Sequence, residues 1–153
     1  MKNFMRTLLS GLVCGLTLLG SAHADELLMA RIHQDFPEAM LRLQAEITKL
    51  GYTVSRVQRV DIGLTASGYQ TDKYRLVFYG KPAEISHISQ QYPEMTPYLP
   101  LKIAIFAEAD DTLLVAANPV ILAPGAPAAL QQQLASWEAD LQKLLAAMKL
   151  QSD

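Results

Sequence analysis

The stretch LKIAIFAE (Leu101–Glu108) most constrains the fold, because its apolar residues alternate as one face of a β-strand requires. The three residues that follow, Ala-Asp-Asp, favour a turn, and Thr112–Ala117 has the composition of a returning strand. Two strands connected in this way form a hairpin. The sequence therefore predicts an antiparallel sheet.

Further strands and helices are predicted around this hairpin. Apolar residues between Phe36 and Leu50 recur at spacings of three and four, which predicts an amphipathic helix that Asp35 caps and Gly51 ends. The same spacing predicts a long helix through 130–148. Strands are also predicted at 27–33, at 52–62 with a bulge or bend, and at 74–79, and a short helix at 83–92.

The order of these elements indicates the fold class. A strand and a helix are followed by four strands with a short helical insert, and then by the last helix. This β-α-β(4)-α order is typical of an α+β protein, a two-layer sandwich with a mainly antiparallel sheet and helices on one face.

The N-terminus has the pattern of a signal peptide. Lys2 and Arg6 precede an apolar run at 8–19, and Ala22 and Ala24 then match the A-x-A cleavage pattern. The run is 12 residues long, short of the roughly 20 that a spanning helix needs. We therefore expect cleavage after Ala24, export to the periplasm, and no stable membrane anchor afterwards.

Two alternatives to cleavage are a retained membrane anchor and a lipoprotein acylated at Cys14. The residues before Cys14 do not match the usual lipobox, and Cys14 lies in the middle of the apolar run. The expected organisation is a signal peptide at 1–24 and a single α+β domain at 25–153.

The composition of residues 25–153 excludes several classes of site. Cys14 is the only cysteine of the chain, so the predicted domain has no disulfide, no thiol nucleophile and no zinc–cysteine site. Its net charge is 11 minus 15, or −4, and its basic residues are scattered. Nucleic-acid binding needs a clustered positive face, so we expect no nucleic-acid partner.

The stretch from Tyr52 to Leu122 resembles a bacterial family known as domain of unknown function 302. The resemblance rests on the order and spacing of short motifs, together with the preceding helix: Gly51-Tyr52, Val60-Asp61 with Ala66 and Gly68, Gly80-Lys81-Pro82, Leu99-Pro100-Leu101-Lys102-Ile103 and Asn118-Pro119. It implies a fold similar to the TATA-binding protein, and often a homodimer. It implies no agreed activity and no catalytic residues. Many members have a histidine directly after the aspartate, whereas this chain has Ile62.

The predicted strands lack a polar outer face. In one strand, Val77 and Tyr79 lie on the other face from Leu76 and Phe78. In another strand, Phe106 lies on the other face from the isoleucines. An apolar second face of Val77, Tyr79 and Phe106 indicates a surface for a partner or ligand. The alternative is that the short helix and the proline-rich loop cover it.

These patterns leave three classes of function. The first is a non-catalytic, homodimeric binding module for a small apolar ligand or a protein partner, without cofactor, with Val77, Tyr79, Lys102, Phe106 and Asp61 as its surface. The second is an enzyme with a cleft near Asp61 and Lys102, assisted by Tyr69 and Tyr79. The third is a metal or haem carrier, in which His87, Glu84 and Asp61 would converge. We expect the first, with no metal site and no catalytic residues.

Overall fold

The computed structural model describes residues 26–150, so the signal peptide predicted at 1–24 lies outside the described residues. Five strands and four helices occur in this range: β1 Leu27–Ile32, α1 Phe36–Lys49, β2 Thr53–Arg59, α2 Val60–Ala66, β3 Tyr74–Gly80, α3 Pro82–Gln91, β4 Leu101–Glu108, β5 Asp111–Ala117 and α4 Ala128–Lys149. Short 3₁₀ helices at Pro93–Tyr98 and Pro119–Ile121 flank the hairpin β4–β5. The predicted α+β class is confirmed.

The five strands form one antiparallel sheet with the order β1-β5-β4-β3-β2. The predicted hairpin is confirmed as β4 and β5, with Glu108 paired to Asp111 around the turn. The predicted bulge is also confirmed, because the register of β2 against β3 shifts between Val54 and Arg56.

Local sequence explains where α1 begins and ends. The side chain of Asp35 accepts a hydrogen bond from the Glu38 N–H (3.0 Å), which satisfies a free donor of the first turn. After Leu50, Gly51 has a φ of +79°, a conformation that favours glycine. Both ends therefore lie where the sequence predicts them.

The core lies between one face of the sheet and the helices α1 and α4. Each helix buries one stripe of apolar side chains: Phe36, Ala39, Leu43 and Ile47 in α1, and Leu130, Leu134, Trp137, Leu141, Leu144, Leu145 and Met148 in α4. The strands contribute Ala30, Ile32, Val77, Tyr79, Leu101, Ile103, Ile105, Leu114 and Ala116 to the same cluster. The arrangement is a two-layer sandwich.

One predicted strand is shorter than expected. β2 ends at Arg59 instead of Ile62, and residues 60–66 form the helix α2, which contains Gly63. β2 pairs antiparallel with β3, and Arg59 is paired with Arg75, the second residue of β3. Because β3 begins at Tyr74, residues after Arg59 have almost no strand left to pair with. Their backbone groups are satisfied within a helix instead.

Candidate binding surfaces: the outer sheet face and an adjoining cavity

One face of the sheet is covered by the helices, and the other is not. Residues directly opposite each other in an antiparallel pair lie on the same face. Val77 is opposite Ile103 and Tyr79 is opposite Leu101, so both lie on the face that the helices cover. Val77 is 0% exposed and Tyr79 is 4% exposed.

The predicted patch of Val77, Tyr79 and Phe106 is therefore wrong for two of its members. Phe106 lies opposite Tyr74 on the other face, whereas Val77 and Tyr79 belong to the core. The error comes from the register between strands, because a shift of one residue moves every side chain of a strand to the opposite face.

The second face, here called the outer face, is nonetheless largely apolar. Across its middle, Leu76, Ala104, Val115 and Met29 are aligned on four neighbouring strands. Its apolar members are Leu27, Met29, Tyr74, Leu76, Phe78, Ala104, Phe106, Leu113 and Val115. All nine are at least partly exposed, and none belongs to the core cluster.

Charged side chains lie at the two ends of the outer face. At one end Arg31 pairs with Glu108 at 2.5 Å, so these two charges neutralise each other within the chain. At the other end Arg56 and Lys102 lie on either side of Phe78, both are exposed, and neither forms an ion pair with any residue between 26 and 150. The predicted site residue Lys102 thus lies at the edge of the face, beside Phe78.

A cavity of about 320 Å³ opens beside Lys102. It lies between the two 3₁₀ helices, next to the start of β4 and the end of β5, and Leu141 of α4 forms part of its wall. Its lining is mostly apolar and includes Tyr79, Tyr98, Leu101, Lys102, Pro119 and Leu141. The cavity brings together two predicted site residues, Tyr79 and Lys102. Tyr98, Pro119 and Leu141 were not predicted as site residues, because they come from separate elements.

A polar network lies behind Tyr79, on the helix side of the sheet. The Tyr52 hydroxyl donates to Asp140 (3.0 Å), the Tyr52 and Tyr79 rings meet edge to face at 5.4 Å, and the Lys81 Nζ lies 4.4 Å from the Tyr52 ring centre. Burial raises the pKa of both Tyr52 and Tyr79 above the usual range. Both phenols therefore stay protonated at ordinary pH, which suits a structural role better than a basic one.

Asp61 has a local partner. It lies in α2 and accepts a hydrogen bond from Arg75, whose guanidinium also lies 5.6 Å from the Phe36 ring centre. This hydrogen bond holds the pKa of Asp61 below its usual range. Arg75 is opposite Ile105 on the core face, whereas Lys102 is on the outer face, so the structure does not bring Asp61 and Lys102 together. Tyr69, the further residue of that hypothesis, is 65% exposed after α2.

The residues of the metal hypothesis also have other roles. Glu84 accepts a hydrogen bond from the Trp137 Nε1 (2.9 Å), which connects α3 to α4. His87 is exposed, and His33 pairs with Asp111 at 2.9 Å, which raises the pKa of His33. Within residues 26–150, no group of three or more histidine, cysteine or acidic side chains is placed to hold a metal ion. In the same range, no helix is long and apolar enough to cross a membrane.

The fold and these surfaces define a small two-layer α+β domain with an apolar sheet face outside its core. The family model described as "Domain of unknown function DUF302" matches residues 29–148, and the chain belongs to this family. A crystal structure of an uncharacterized conserved protein DUF302 from Bacillus stearothermophilus is similar, with a TM-score of 0.75 and 19% identity. The match covers 82% of this chain and 100% of the other, and at this identity it shows the fold alone. No curated protein matches the chain.

Proposed function

We propose that this protein is an exported, non-catalytic binding module whose outer face packs against a second copy of the same chain. The observation that supports the homodimer is the outer face itself, where nine partly exposed apolar side chains lie outside the core cluster. Apolar patches of this kind usually mark an interaction surface.

The size of the outer face fits a small homodimer. The four strands that carry the nine apolar side chains lie about 4.8 Å apart and are about six residues long, so they cover a footprint of about 19 by 20 Å on each copy. Two copies would bury about 800 Å², which is below the roughly 1,000 Å² of a stable interface and in the range of a weak one. We therefore expect a dimer that dissociates on dilution.

The charges at one end of the outer face are compatible with burial against a second copy, whereas Arg56 and Lys102 at the other end form no ion pair within residues 26–150 and have to stay at the hydrated rim of the interface. Arg31 and Glu108 already pair at 2.5 Å within one chain, so covering this end leaves neither charge without a partner. An unpaired charge would instead cost several kcal/mol, an order of magnitude taken from buried ions in general. Two sheets can then meet through Leu76, Ala104 and Val115 at the centre.

Sedimentation velocity of residues 25–153 over a wide concentration series tests the homodimer. A two-subunit species that dissociates on dilution is the expected result, and a monomer at every concentration would overturn it. Export is tested separately by N-terminal sequencing of the protein recovered from the periplasm. We expect Asp25 as the first residue, and a chain that keeps its first 24 residues would contradict cleavage.

A further inference from the structure

We propose that the cavity beside Lys102 binds a small amphipathic anion, with an apolar chain inside and a carboxylate at the mouth. The inference rests on the proposed function of a binding module and names the class of ligand. It depends on three features of the cavity: apolar walls, a lysine that forms no ion pair, and an accessible hydroxyl in the wall that forms no hydrogen bond within the described residues.

The walls of the cavity suit an apolar chain. Leu101 and Leu141 are buried, with 6% and 2% of their surface exposed, and Pro119 is buried as well. The volume of about 320 Å³ lies at the small end of the range for ligand sites, about 300–1,000 Å³. A short alkyl chain fits this space better than a large cofactor does.

Lys102 gives the mouth of the cavity a positive charge. Three other lysines have carboxylate partners: Lys49 pairs with Glu46, and Lys81 and Lys143 pair with Asp140. Lys102 forms no such pair within residues 26–150, although it lines the cavity. A ligand that combines an apolar chain with a negative group complements both the walls and this charge.

Tyr79 adds a polar group that lacks a partner. The residue is 4% exposed and lines the cavity, and its hydroxyl forms no hydrogen bond with any residue of the described part of the chain. In the described part of the chain, the buried side-chain atom that lacks a hydrogen-bond partner is Arg42 Nε and not the Tyr79 hydroxyl, so this hydroxyl is accessible to solvent or to a ligand. Its place in the cavity wall, next to Leu101, is consistent with a site that a ligand completes.

Titration calorimetry with octanoate and with octanol tests the proposal on residues 25–153. Octanoate should bind saturably at one site per chain. Lys102→Gln should weaken octanoate binding about fivefold, as expected for one exposed ion pair, and leave octanol binding unchanged. The matched control is Lys73→Gln, which removes another exposed lysine away from this cavity and should change neither titration.

Absence of saturable octanoate binding would overturn the proposal, and so would equal weakening of octanoate and octanol by Lys102→Gln. Sedimentation of the same samples separates this result from the homodimer. A dimer that does not bind octanoate contradicts the ligand alone, whereas a monomer that binds it contradicts the homodimer alone.

Discussion

Val77 and Phe106 lie on opposite faces of the sheet, although both are apolar residues of the neighbouring strands β3 and β4. Val77 is opposite Ile103 and is fully buried under the helices, whereas Phe106 meets Tyr74 edge to face at 6.1 Å on the outer face. The same substitution at these two positions therefore separates folding from association.

Phe106→Asp should prevent dimer formation and leave the domain folded. A carboxylate on the outer face stays hydrated in the monomer but would be buried without a partner in the dimer. Sedimentation velocity and circular dichroism check both parts of this expectation. A folded Phe106→Asp variant that still dimerises like the wild type would contradict the proposed interface.

Val77→Asp is the matched control for that experiment. Because Val77 is 0% exposed, an aspartate there would be an unpaired charge in the core, which usually costs several kcal/mol. We expect this variant to unfold or to lose most of its stability in urea titrations. A stable, monomeric Val77→Asp domain would instead place Val77 on the interface.

Tyr52→Phe and Tyr79→Phe should differ in their effect on stability. Tyr52 donates to Asp140, and loss of a hydrogen bond to a charged group costs about 1.5–3 kcal/mol. The hydroxyl of Tyr79 has no such partner among residues 26–150, so its removal should change stability by less than about 0.5 kcal/mol. Urea unfolding of the two variants measures the difference, and an equal loss would mean that Tyr79 has a partner in solution.

The pair Asp61–Arg75 should make the stability of the domain depend on pH in the acidic range. Asp61 has a lowered pKa in the folded state because Arg75 donates to its carboxylate, so the folded chain binds fewer protons there than the unfolded chain. Its contribution is complete above the usual aspartate pKa of about 3.9, and decreases as the pH falls through the lower, folded pKa.

Asp61→Asn removes this linkage. We expect a loss of about 1–2 kcal/mol at neutral pH and a smaller decrease in stability on acidification than in the wild type. Urea unfolding at a series of pH values checks both effects. If the variant lost as much stability on acidification as the wild type, Asp61 would not contribute to the pH dependence.

Gly80→Ala should destabilise the domain through crowding. A Cβ atom at Gly80 would lie 2.7 Å from the Ile85 Cγ1, at the junction of β3 and α3. Overpacking of this kind costs about 1–3 kcal/mol. The control is Gly63→Ala in α2, where no atom lies within 4 Å and alanine favours the helix by up to about 1 kcal/mol. Thermal unfolding should shift in opposite directions for the two variants.

Helix α1 and the hairpin β4–β5 were predicted closely because their signals are local. Asp35 and Gly51 define the ends of α1 through interactions within a few residues, and alternation in Leu101–Glu108 needs no distant partner. Helix α2 was missed because the length of β2 depends on where β3 begins, some fifteen residues later. Lys102, Tyr79 and Phe106 were named as candidates, but only the register shows that Tyr79 lies on the core face and the other two on the outer face, and only the tertiary structure brings Tyr79 and Lys102 to one cavity.

The sequence by itself determined the strands, the amphipathic helices, their order and the apolar character of both sheet faces, since periodicity and turn residues act over short distances. Only the tertiary structure decided which face the helices cover. The pairing of β3 with β4 places Val77 in the core and Phe106 outside it, and a shift of one residue between these strands would put both side chains on the same face. The cavity beside Lys102 likewise exists only where six separate elements meet, and no local pattern contains it.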